Sequence, residues 1–147
     1  MEMVGILLMF TSLAAQSFTL QVGPPVAGNA PVAKKAVFVV RPGGCPDASS
    51  AHITATAEGV VNGVRQSVPL KVAMLPTRGV HAVDKQWPDA GVWIVNIVGT
   101  CAGQTAGALV TLGPKNSYQR EGVKLVAHEP TKQEIDASLK ALTGGQR

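Results

Sequence analysis

Little in this chain is chemically reactive. Its 147 residues include two cysteines, three histidines and 4% aromatic side chains, and only 15% are charged. The cysteines lack C-x-x-C spacing, which removes the usual signature of a redox pair or a thiolate metal cluster. Basic residues are scattered from Lys34 to Arg147 with no block among them. A nucleic-acid surface needs concentrated positive potential and rings on which bases stack, so the composition argues against a nucleic-acid partner. No G-x-S-x-G or H-E-x-x-H motif occurs, and carboxylates such as Asp47, Glu58, Asp84 and Asp89 are dispersed. Catalysis by a nucleophile beside a base, or by paired acids, therefore has no sequence support, and the reading is of a protein that is not an enzyme. The glycine-rich piece "GTCAGQTAG" lacks the Lys-Ser/Thr of a phosphate-binding loop.

What is present is apolar and patterned. A hydrophobic content of 46% is enough to build one core in one domain without a cofactor. The chain opens with "MEMVGILLMFTSLAAQS", whose apolar run from Met3 to Phe10 is too short to span a membrane and is followed by small residues. That is the pattern of a signal peptide over residues 1–17, with Ala15 and Ser17 before the cut and mature protein starting near Phe18. No spanning segment remains after its removal, and the compartment is periplasmic or extracellular. Residues 18–33 are rich in Pro, Gly and Ala and read as a flexible N-terminal arm.

From residue 34 the pattern is that of strands. "KKAVFVVRP" is a β-branched run closed by the turn cluster "RPGGCPDASS". Asn62-Gly63 is a hairpin signal, because both residues tolerate positive φ. Centring a two-residue turn there sets Ile53 opposite Val72, Ala55 opposite Leu70 and Ala57 opposite Val68, all apolar. The other face pairs Thr54 with Lys71, Thr56 with Pro69 and Glu58 with Ser67, a solvated set. Pro69 has no N–H to donate and places its strand at an edge or beside a bulge. "VHAVD" is a further short strand, and "GVWIVNIVGTC" puts Trp93, Val95, Ile97, Gly99 and Cys101 on one face. "GALVTLG" and "GVKLVAHE" complete about seven strands, an all-β antiparallel sandwich over residues 34–127. In residues 128–147, Thr131 and Glu134 form a capping box ahead of Ile135, Leu139 and Leu142, which share one face of a short C-terminal helix.

Successive connections in such a meander alternate between the two ends of the sandwich. Cys45 lies in the first connection and Cys101 opens the fifth, so both sulfurs fall at one end. In an oxidising compartment they are expected to bond.

The stretch "WPDAGVWIVNIVG", in which a Pro-Gly turn launches a Trp-bearing strand ahead of a cysteine, resembles small bacterial extracytoplasmic immunoglobulin-like domains. That resemblance covers residues 34–127 and implies a secreted or periplasmic module without catalysis. Domains of this kind include accessory modules of membrane-bound oxidases and pumps, and also copper carriers. For a copper carrier the metal candidates here are His52, His81, His128 and Met74, although no two histidines are close in sequence; no cofactor is otherwise expected. The expected function is a binding or accessory module for a protein or envelope component, with Trp87 the first ligand contact to consider. The alternatives are a copper-carrier-like protein and a purely structural envelope domain.

Overall fold

The computed structural model describes residues 17–25, 35–77 and 79–144. Apart from Ser17, the expected leader lies outside these residues, as do residues 26–33 of the expected arm and Lys34. The described chain forms nine strands: β1 (Thr19–Gly23), β2 (Ala36–Gly43), β3 (His52–Val61), β4 (Val64–Leu70), β5 (Val72–Met74), β6 (His81–Asp84), β7 (Val92–Cys101), β8 (Gln104–Thr111) and β9 (Val123–Val126). They build a four-stranded sheet of order β1-β2-β6-β5 and a five-stranded sheet of order β4-β3-β7-β8-β9. Every pairing is antiparallel. One helix, α1 (Lys132–Gly144), follows the last strand. The all-β sandwich with a C-terminal helix is thus present, with nine strands where seven were expected.

Two local departures account for the difference. The first is β1, in the segment read as a flexible arm. Phe18, Leu20 and Val22 alternate with Thr19 and Gln21, which is a strand period; Phe18 and Leu20 are buried. Gly99 on β7 makes room for them, since a Cβ there would crowd the ends of the Leu20, Ile53 and Phe18 side chains. The second departure is the splitting of the second hairpin strand at Lys71. The pairings Ala55–Leu70, Ala57–Val68, Thr56–Pro69 and Glu58–Ser67 all form. The expected Ile53–Val72 pair does not, because Val72 pairs with Val83 in the other sheet. The Gln86 side chain holds this corner, its Oε1 accepting from the Lys71 amide at 2.8 Å and its Nε2 donating to the Lys71 carbonyl at 2.9 Å. A strand that changes sheets loses its ladder partners for one residue, and Gln86 replaces both of them. Pro69 lies on β4, the edge of the five-stranded sheet, where a missing N–H is tolerated.

The core lies between the sheets. Trp93, Val95 and Ile97 from β7 meet Phe38, Val40 and Val83 from the opposite sheet, with Ala57, Ala108 and Val110 filling between them. The outer face of the five-stranded sheet is not left to water. Ile94, Leu109 and Val60 project from it against Ile135, Leu139 and Leu142 of α1. The capping box forms as the sequence implies: Glu134 N donates to Thr131 Oγ1, and Thr131 N donates to Glu134 Oε1, both at 3.1 Å. Arg65 ties helix to sheet by reaching Glu58 on β3 at 3.3 Å and Asp136 on α1 at 3.1 Å.

Candidate functional site

Two ends of the sandwich differ in kind. At one end the Cys45–Cys101 bond joins the loop after β2 to the end of β7, across a Cα separation of 6.0 Å. The β7–β8 hairpin turns at the same end through Ala102 and Gly103, with φ of 49° and 77°. At the other end lie the Asn62-Gly63 turn, the start of β7, the end of β8 and the C-terminal part of α1. Here the segment between β8 and β9 folds back in two single 3₁₀ turns, at Pro114–Asn116 and Arg120–Gly122. It closes on itself through Gly113 N to the Ser117 carbonyl at 2.8 Å and Asn116 N to the Gly113 carbonyl at 3.0 Å.

Lys115 and Asn116 both adopt left-handed backbone, with φ of 57° and 56°. Left-handed conformation in consecutive non-glycine residues is costly and persists only where surrounding structure enforces it. The enforcing contacts are visible. Asn116 is 8% exposed and its Nδ2 donates to the Asp89 carbonyl at 3.2 Å, pinning the turn to the loop before β7. The Gln119 side chain folds over Gly113, where any Cβ would collide with it.

These constraints shape a groove of two adjoining clefts, of about 380 and 420 Å³. Thr111, Gln119 and Leu142 line both. The first cleft also presents Lys115, Asn116 and the backbone of Gly91 and Gly113; the second runs between β9 and α1, past Lys124 and Ser138. Asp89 on the rim pairs with Lys85, and Lys124 lies 4.0 Å from Glu134, so the charges at this end are largely balanced. The groove therefore offers amide, hydroxyl and backbone hydrogen bonds and the charges of Asp89, Lys115, Glu121 and Lys124, beside aliphatic side chains that include Val92, Leu112, Val123 and Leu142.

The residues singled out from the sequence do not gather there. Trp87 is 3% exposed and packs into the main core, so its ring is not available on the surface as a contact. His52 is exposed at the start of β3. His128 is exposed and its Nε2 lies 2.7 Å from Glu134 Oε1. That hydrogen bond, with the Thr131 amide, holds the Glu134 carboxyl down at about 2. His81 is 5% exposed, and burial lowers its pKa against the opposing pull of the Val40 and Gly79 backbone. Neither of those backbone groups completes a hydrogen bond to Nδ1. Met74 stands directly opposite His81 across the β5–β6 pair. The three histidines thus occupy separate places, and among the described residues no three His, Cys, Asp or Glu side chains converge.

The groove itself was not read from the sequence. "GPKNS" carried a signal, since Gly-Pro followed by Asn marks a turn, but nothing in it identifies chemistry. No protein-family model, curated protein or solved structure matches this chain. Among the described residues no helix is long and apolar enough to cross a membrane.

Proposed function

We propose that this chain is an exported, non-catalytic binding module of immunoglobulin-like build, whose partner is a protein of the cell envelope held in the groove opposite the disulfide. The observation that carries the reading is the strained Lys115-Asn116 turn. Backbone strain of this kind collects at ligand sites, and here it shapes one wall of the groove. The Cys45–Cys101 bond supports export, because such bonds persist in oxidising compartments. The lining supports binding over catalysis: among the described residues no hydroxyl in it is hydrogen-bonded to one of its carboxylates or lysines as a nucleophile is to its base. Among the described residues its lining has no aromatic ring on which a sugar could stack, which favours a polypeptide over a glycan.

The test is retention from a solubilised envelope fraction by immobilised protein, compared with two variants. Lys115→Glu with Leu142→Glu alters the groove; Thr105→Glu alters the exposed start of β8 at the disulfide end. The groove variant is expected to lose the retained component and the Thr105 variant to keep it, with both melting near the parent temperature. Retention by the groove variant equal to the parent removes the groove from the account.

A further inference from the structure

The five-stranded sheet ends on β4, an edge that the groove does not use. The turn before it, Asn62-Gly63 with φ of 50° and 76°, is of the two-residue kind that closes on a hydrogen-bonded pair, here Val61 and Val64. Bonded and non-bonded pairs alternate from there. Gly59–Gln66 and Ala57–Val68 thus exchange hydrogen bonds, while Val60–Arg65, Glu58–Ser67 and Thr56–Pro69 do not. Arg65, Ser67 and Pro69 therefore turn their backbone groups away from β3. Pro69 falls in the set where no N–H is missed by β3. The N–H groups of Arg65 and Ser67 are left as open donors on exposed residues.

The other edges are shorter or fastened. β4 spans seven residues, against three in β5 and four in β9. β1 is tied to the facing sheet, where Phe18 N donates to Gln104 Oε1 at 2.8 Å and the Tyr118 hydroxyl to the Val22 carbonyl at 3.5 Å. Edges are commonly guarded by a free charge. The charge on β4, Arg65, is instead engaged by Glu58 and Asp136. Val64, on the core-facing side of the strand, is 59% exposed.

We propose that β4 is the seam of a homodimer, in which the β4 strands of two copies pair antiparallel about a two-fold axis at Gln66. Such an interface uses the same surface on both copies, so the strand must complement itself. Centred on Gln66, Arg65 of each copy meets Ser67 of the other, and both residues point outward, so both hydrogen bonds of each pair are made. Val64 of each copy lies opposite Val68 of the other, on the side each core occupies, which covers the exposed valine. Sliding by one repeat in one direction sets Arg65 against Pro69 and forfeits a donor. Sliding the other way sets Arg65 against Arg65. One register alone satisfies the edge.

The experiment is sedimentation velocity of the oxidised protein over a range of concentrations. The parent is expected to form a dimer with a dissociation constant of about 1–100 µM. In this register Gln66 faces its own counterpart in a non-bonded pair, where side chains are closest and like charges repel. Gln66→Lys and Gln66→Glu are each expected to keep the parent's circular dichroism and to dimerise at least about tenfold more weakly. An equimolar mixture of the two is expected to restore the dimer. Lys115→Glu with Leu142→Glu, in the groove, is expected to dimerise as the parent does, which separates this seam from the groove reading. The proposal is overturned if the parent is monomeric at about 200 µM, if either Gln66 variant alone dimerises as tightly as the parent, or if their mixture stays monomeric.

Discussion

Replacing both Cys45 and Cys101 by alanine removes a cross-link that closes 56 residues of chain, from the end of β2 to the end of β7. Within that interval lie β3, β4, β5, β6 and β7, parts of both sheets. The bond therefore constrains a large central part of the unfolded chain while joining two points that the folded chain already holds together. Chain entropy for a loop of this length gives about 4 kcal/mol of stabilisation. The 6.0 Å Cα separation falls within the ordinary range for the bond, so the folded state needs no backbone movement to accommodate it. A domain of this size has about 5–15 kcal/mol in all, so the variant remains folded but keeps a much reduced margin. With a urea slope of about 1.5 kcal/mol per molar, the midpoint falls by roughly 2 to 3 M. The slope itself rises, because the unfolded chain without the link exposes more surface. Urea titration of the parent and the double variant, followed by tryptophan fluorescence, measures both. A midpoint shift under about 0.5 M with an unchanged slope would refute the reasoning, since the link would then constrain nothing that matters to stability.

Three further outcomes follow from single positions. Ala102 occupies a left-handed turn position, so Ala102→Asn is expected to stabilise the protein by roughly 0.5–1 kcal/mol in the same urea assay; a loss of stability would contradict the turn geometry. Leu139, 3% exposed between α1 and the sheet, is expected to cost about 2–3 kcal/mol on Leu139→Ala, the low end of the usual range because the helix can settle onto Ile94 and Leu109. Glu134 titrates near 2 when folded against an ordinary 4.5, so its stabilising contribution is complete above the unfolded value and is lost as pH falls from there through about 2. The parent's urea midpoint should therefore drop more between pH 6 and pH 3 than that of Glu134→Gln; equal drops would remove the His128–Glu134–Thr131 cap from the account.

Period-two patterning made the sandwich legible. The parity of Trp93, Val95 and Ile97, the register around Asn62-Gly63 and the meeting of Cys45 with Cys101 all follow from alternation and from counting chain reversals. The capping box of α1 was equally plain. Legibility failed where tertiary structure overrode a local rule. Phe18, Leu20 and Val22 carried the strand period, but their surroundings of Pro and Gly masked it, and what fixes β1 is Gly99, eighty residues away in sequence. Val72 continued the hairpin alternation, yet Gln86 provides a corner that lets the chain change sheets. Trp87 sits in a loop of breakers, which suggested a surface ring, while the open end of the core offered it a burial site. The groove depends on side chains from three separated segments, and its most informative feature, left-handed Lys115 and Asn116, has no sequence signature because both residues also occur in ordinary turns.

The claim that the groove opposite the disulfide is where a partner is held can be tested by hydrogen–deuterium exchange on the protein with and without the component retained from the envelope fraction. The account predicts slowed exchange at residues 111–123 and 138–142, with residues 44–51 and 101–105 unchanged. Slowed exchange confined to the disulfide end, or to the edge strands β4 and β5, would contradict it.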